Sequence, residues 1–152
     1  IVGTGQDEKR LKSIAGPKIE FVGWADARTL DSLYAGCRAL IFPGEEDFGI
    51  VPLEAQCYGK PVIAYGAGGV LETVNGAWPD QGAEQGLATG VFFREQAAQD
   101  LKQAVRYSES MDFDPAGIRE NALRFDKRHF MEKMQAFIQN AVSEEARDVQ
   151  AR

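Results

Sequence analysis

The stretch that decides the fold runs from Ile41 to Glu72, IFPGEEDFGIVPLEAQCYGKPVIAYGAGGVLE. Ala39-Leu40-Ile41-Phe42 is a short apolar run suited to a strand buried on both faces. Pro43-Gly44 and the three acids Glu45, Glu46 and Asp47 break it. Gly49 allows a close turn, and Pro52 fits the first turn of a helix, where a missing N–H costs no hydrogen bond. Gly59 ends that helix, and Pro61 forbids its continuation. Pro61-Val62-Ile63-Ala64-Tyr65 forms the next strand, and Gly66-Ala67-Gly68-Gly69 turns the chain into a further helix at Val70.

Outward from this stretch the same alternation continues. Asp7 to Ala15 is a short polar helix, and Ile19-Glu20-Phe21-Val22 is expected to be a strand. Leu30, Leu33, Tyr34 and Cys37 recur at helical spacing, which predicts an amphipathic helix over Ala27 to Gly36. Asn75 to Thr89 is a polar loop with room for one helical turn, and Val91-Phe92-Phe93 is the last strand. Ala97, Leu101, Ala104 and Val105 mark another helix. Asp114 caps the next, with Pro115 at its first position, and Asp126 caps the last, whose one face carries Phe130, Met134, Phe137, Ile138 and Ala141. Residues 143–152 are expected to be a solvated helix end or a frayed tail. Strands alternating with helices give a three-layer α/β/α domain with a mainly parallel sheet. Ligands of such sheets sit outside the carboxyl ends of the strands. Val22, Phe42 and Tyr65 are expected to end strands at that edge.

Composition bounds the function. The 152 residues suffice for one domain with its own core. A net charge of -6 and a pI near 4.9 argue against a general nucleic-acid binder, which needs a basic face. No apolar run is long enough to span a bilayer. Cys37 and Cys57 fall on apolar helix faces and are expected to be buried free thiols in a reducing compartment. His129 is the only histidine, so no zinc-type Cys/His cluster exists, and its place is a helix surface.

Two acids bracket the start of the helix after Gly49: Glu46 in the loop and Glu54 one turn in. A helix N-terminus attracts an anion, whereas a carboxylate accepts hydrogen bonds from hydroxyls and repels phosphate. An anion site flanked by two acids suits a ligand with phosphate in the middle and hydroxyl-rich groups at both ends, the shape of a nucleotide sugar. Other motifs carry less. Asp47-Phe48-Gly49 spells a kinase metal-binding triplet, but no H-R-D loop accompanies it. Gly3-Thr4-Gly5 begins a dinucleotide fingerprint whose third glycine position is Glu8. Gly68-Gly69 is either a plain turn or a loop whose N–H groups face a phosphate. Trp24 is either a surface aromatic or a neighbour of a base.

The run from Glu46 to Ala55, then Gly59-Lys60-Pro61-Val62, then Gly68-Gly69-Val70-Leu71-Glu72 resembles the signature of the retaining group 1 (family 4) glycosyltransferases. Ile1-Val2-Gly3-Thr4-Gly5, Phe21-Val22-Gly23-Trp24, Gly90-Val91-Phe92-Phe93 and the region Phe125 to Phe130 extend the resemblance over most of the chain. It implies half of a GT-B architecture, with residues 1–152 as a single Rossmann-like nucleotide-sugar-binding domain, N-terminally truncated and without the acceptor domain. It implies transfer of a hexose from a nucleotide diphosphate donor, with GDP-mannose favoured and a UDP-sugar next, to a saccharide or lipid-linked acceptor, as in polysaccharide biosynthesis. By resemblance Glu46 is catalytic and holds hydroxyls of the transferred sugar, and Glu54 binds the ribose. Asp47, Phe48, Gly49, Ile50 and Val51 meet sugar and diphosphate; Gly3, Gly5, Gly68 and Gly69 line the phosphate side; Trp24 and Ala25 border the base. No metal or other cofactor is implied. The implied partner is the N-terminal acceptor-binding domain of the same polypeptide, which would also make any membrane contact at the inner face; the location is cytoplasmic. The family's Arg and Lys on the loop after its first strand have no counterpart here, so the chain by itself is expected to transfer nothing. Two other readings stand beside this one: a non-catalytic nucleotide-sugar-binding module, and a GT-B sugar-nucleotide epimerase.

Overall fold

The computed structural model describes residues 1–81 and 87–150, with the side chains of 143–150 left aside. The chain divides into two compact units, 1–37 and 38–152. The smaller one holds α1 (Glu8–Ile14) and α2 (Ala27–Gly36). The Asp26 carboxylate caps α2 by accepting from the Thr29 N–H at 2.8 Å. None of the described residues in this unit is buried.

The strand expected at Ile19–Val22 does not form. Pairing of this run with the Ile1–Gly3 segment amounts to one parallel bridge, Val2 to Gly23, with hydrogen bonds from Val22 N to Ile1 O (2.9 Å) and from Gly3 N to Gly23 O (2.7 Å). A β-prone run becomes a strand only where a neighbour supplies a ladder of hydrogen bonds. Val22 accordingly does not end a strand.

The larger unit is built on a four-stranded, all-parallel sheet in the order β1-β2-β4-β3. Its strands are β1 (Leu40–Phe42), β2 (Val62–Tyr65), β3 (Gly76–Ala77) and β4 (Gly90–Phe93). β4 lies between β2 and β3, and its four residues are all buried, as expected of a central strand with both faces covered. β1 is an edge strand, and Ile41 is half exposed. β3 is a departure from the expected loop at Asn75–Thr89. It forms because Gly76 and Ala77 pair with Gly90 and Val91, a register fastened by the Asn75 N–H to Thr89 Oγ1 bond at 2.9 Å. Residues 82–86 of that loop lie outside the described residues.

Ile63, Val91 and Phe93 form one core face with Ala104 of α5 (Ala98–Glu109). By the pleat, Val62, Ala64 and Phe92 face the other way and are equally buried. The chain crosses from β1 to β2 through α3 (Ile50–Cys57), which packs on both strands and on α6 (Pro115–Leu123). α3 closes on Gly59, with φ +68°: the Gly59 N–H donates to Gln56 O and the Lys60 N–H to Ala55 O, the Schellman pattern. α4 (Val70–Thr73) is a single turn. The Asp114 carboxylate caps α6 by accepting from Ala116 N and Gly117 N. α7 (Lys127–Gln150) runs as helix to Gln150, the first of the two alternatives expected for that end, and its Phe130, Met134, Phe137 and Ile138 are exposed.

One burial expectation is corrected. Cys57 is exposed, because the inner face of α3 is taken by Pro52, Leu53, Ala55 and Gln56, and Cys57 turns outward with Glu54 and Tyr58. Cys37 is half-buried at the end of α2.

Candidate functional site

The carboxyl ends of β1 and β2 open into the two loops singled out from the sequence. After Phe42 the chain runs exposed through Glu45, Glu46, Asp47 and Phe48. Gln96, just before α5, anchors its start by donating from Nε2 to Pro43 O at 2.8 Å. Phe48 meets Phe125 edge-on, with ring centroids 6.0 Å apart. Gly49 then turns into α3 at φ 81°, ψ 65°, a left-handed conformation that only glycine adopts without strain. It cannot cap with a side chain, and α3 has no side-chain cap. Asp26, Asp114 and Asp126, by contrast, bond N–H groups at the starts of α2, α6 and α7. The outer face of α3 presents Ile50, Val51 and Glu54, so Glu54 stands about 6 Å along the axis from the helix start. The positive end of the α3 dipole lies at Gly49, where the exposed Glu46 loop joins the helix.

The loop after β2 supports the first loop from behind. The buried Gly69 donates its N–H to Glu46 O at 2.7 Å. A Cβ on Gly69 would run into Asp47 O and Phe48 Cα, and one on Gly68 into Glu46 O. Gly69 therefore serves close backbone packing under the acidic loop, with its N–H already engaged. Gly68 is exposed beside it at φ +67°. The structure thus brings Glu46, Asp47, Phe48, Gly49, Ile50, Val51, Glu54, Gly68 and Gly69 together on the larger unit.

Gly3, Gly5, Trp24 and Ala25 belong to the smaller unit. There the Gly3 to Gly23 hydrogen bond sets the Gly3–Gly5 and Gly23–Ala25 loops side by side. Trp24 is 80% exposed, so it packs on nothing within the unit. His129 lies on the surface of α7, with Nδ1 3.7 Å from Glu132. Among the described residues no group of His, Cys, Asp and Glu is placed to hold a metal ion.

Electrostatics near Glu54 register at Cys57. The protein around its sulfur pushes the thiol pKa above the ordinary 9.0; Arg119 opposes this, and Glu54 and Asp126 add to it.

Sequence reasoning missed two features of this edge. One is a stack in which Arg94 lies 4.3 Å above the Trp78 ring and bonds Asp80 at 2.9 and 3.2 Å, while Trp78 packs on Phe92 and Gly66. The other is the amide pair of the buried Gln56 and the half-buried Asn121. Its signal was available, since Gln56 is a polar residue in helical phase with Pro52 and Leu53.

Residues 1–125 match the family model described as Glycosyl transferases group 1. The chain belongs to that family. Among curated relatives of this group 1 glycosyltransferase chain, an uncharacterized glycosyltransferase of Methanocaldococcus jannaschii is 34% identical over 62% of the chain and 27% of the relative. The alpha-1,3/1,6-mannosyltransferase ALG2 of Saccharomyces cerevisiae is 36% identical over 66% of the chain and 20% of the relative. The chain thus spans about a quarter of the length of the curated relatives it matches. Sucrose-phosphate synthase from Thermosynechococcus elongatus superposes with a TM-score of 0.70 at 23% identity, over 94% of this chain and 38% of that one. Anabaena HepE in complex with UDP and glucose gives 0.62 at 22% identity, over 87% and 34%. These likenesses establish the Rossmann-like α/β fold of this glycosyltransferase chain.

Proposed function

We propose that this chain is the donor-binding part of a retaining glycosyltransferase that uses a nucleotide diphosphate sugar. One observation carries the reading: the α3 N-terminus has no side-chain cap and opens between the Glu46 loop and Glu54. The diphosphate sits at the helix start, where N–H groups and the dipole offset its charge. Glu54 accepts from the ribose hydroxyls and Glu46 from hydroxyls of the transferred sugar, each far enough from phosphate to limit repulsion. As the glycosidic bond to the diphosphate breaks, negative charge grows on the leaving oxygen, and a pre-oriented helix end stabilises it without reorganising.

Relatives named as mannosyltransferases support a mannosyl donor, with GDP-mannose as first choice. The HepE complexes with UDP and UDP-glucose support a UDP-sugar as the alternative. The acceptor is a saccharide or lipid-linked saccharide, bound by an N-terminal domain of the same polypeptide. That domain makes any membrane contact from the cytoplasmic side. No helix among the described residues is long and apolar enough to cross a membrane.

Calorimetry with GDP, UDP, ADP, GDP-mannose and UDP-glucose tests the donor site. One nucleoside diphosphate and its sugar conjugate are expected to bind in preference to the rest. Absence of binding by every member of the panel sinks the proposal.

A further inference from the structure

Three helices meet at two amides that the donor reading leaves unused. Gln56, on the inner face of α3, has no exposed surface. Its Nε2 donates to Pro52 O at 3.3 Å and to Thr73 O at 3.0 Å. Asn121 of α6 donates from Nδ2 to the same Thr73 carbonyl at 2.9 Å and to Gln56 Oε1 at 2.7 Å. Two amides therefore hold the last carbonyl of α4. The Thr73 hydroxyl reaches back to Gly69 O at 3.0 Å, and the Gly69 N–H holds Glu46 O at 2.7 Å. The bonds run without a gap from α6 through α3 and α4 to the acidic loop.

A buried glutamine must have its donors and its acceptor met inside the protein, and here both are met. An apolar side chain of the same volume would fill the space equally well, so packing alone does not call for an amide. What the amides add is direction: they fix the end of α4 against α3. Glu54 does not need that fixing, because it rides on α3 itself, closed by its own Schellman bonds and by the buried Pro52. Glu46 does need it, because its carbonyl hangs from α4 through Gly69.

We infer that Gln56 and Asn121 are positioning residues that set where Glu46 stands relative to Glu54, and so match the site to the sugar end of the donor. The inference rests on the reading of Glu46 as the sugar-binding acid. Gln56→Met and Asn121→Ser test it with two measurements. In hydrogen exchange, the Gly69 amide is expected to exchange faster in both variants, while the Gly59 and Lys60 amides that close α3 keep wild-type rates. In calorimetry, nucleoside diphosphate affinity is expected to stay within about twofold of wild type, while the nucleotide sugar loses roughly tenfold, the size of one lost hydrogen bond. The inference is overturned if Gly69 keeps its wild-type exchange rate, or if both ligands lose affinity in proportion. Should Gln56→Met fail to fold, the half-buried Asn121→Ser decides the question. A wild-type chain that binds neither ligand would sink the donor reading alone, and exchange at Gly69 would still decide the clamp.

Discussion

The backbone N–H of Gly69 donates to the carbonyl oxygen of Glu46 across 2.7 Å, so the turn after β2 carries the acidic loop after β1. No side chain fits at Gly69, since a Cβ would meet Asp47 O and Phe48 Cα. Gly69→Ala is expected to push the acidic loop outward and to lower stability by about 1–3 kcal/mol, as overpacking does elsewhere. Chemical denaturation reads the stability, and calorimetry should show weaker nucleotide-sugar binding. A fully stable variant with unchanged affinity contradicts the packing argument.

The two acids are expected to separate by ligand. Glu54→Ala weakens nucleoside diphosphate and nucleotide sugar alike, by roughly ten- to a hundredfold, because a hydrogen bond to a charged group is worth about 1.5–3 kcal/mol. Glu46→Ala leaves nucleoside diphosphate affinity nearly unchanged and weakens only the sugar conjugate. Removing either acid also removes repulsion toward the diphosphate, so Gln variants, which keep the shape, isolate that part. Equal loss of both ligands in the Glu46 variant would mean that the sugar lies elsewhere.

Cys57 offers a reporter for the charge on Glu54. Although Cys57 is exposed, the protein on one side of its sulfur holds the thiol pKa above 9.0, and the Glu54 carboxylate raises it further. A raised acid pKa means that the folded state disfavours the thiolate, so folding loses stability as pH rises past the unfolded thiol value, and none of this loss is felt at neutral pH. The rate of reaction with a disulfide reagent should rise with a midpoint above pH 9.0. Glu54→Gln should move the midpoint down, and Arg119→Gln should move it up. A midpoint that ignores both substitutions would refute the placement of these charges around the sulfur.

The Arg94–Asp80 pair makes an acid-side prediction. Hydrogen bonds from Arg94 hold the Asp80 carboxyl below its usual 3.8. The folded pKa is depressed, so the contribution to stability is present above pH 3.8 and is lost as pH falls through the lower folded value. An NMR titration of the Asp80 carboxyl should show the depressed midpoint, and Arg94→Gln should return it toward 3.8. An Asp80 that titrates normally beside an intact Arg94 would rule the bond out in solution.

Much of the site was legible because local chemistry wrote it. Gly49 at positive φ, the Gly59 closure and the Asp114 and Asp126 caps each follow from one residue's conformational range or acceptor geometry. The Ile19–Val22 run was misjudged because strand formation depends on a ladder with a partner, and here pairing is a single bridge between Val2 and Gly23. β3 escaped notice for the opposite reason: Gly76 and Ala77 have little strand propensity and pair only because β4 runs beside them.

The sequence by itself determined the order of strands and helices in the larger unit apart from β3, the acids at the α3 start, and membership of the group 1 family. These depend on residues near one another in the chain, where spacing, caps and turn chemistry act. Only the tertiary structure decided that β4 lies between β2 and β3, that Cys57 faces out, that Gly69 supports Glu46, and that Gln56 and Asn121 share the Thr73 carbonyl. Those relations join residues far apart in sequence. Which buried donor meets which acceptor is settled by packing the whole sheet and its helices at once, and no local spacing encodes it.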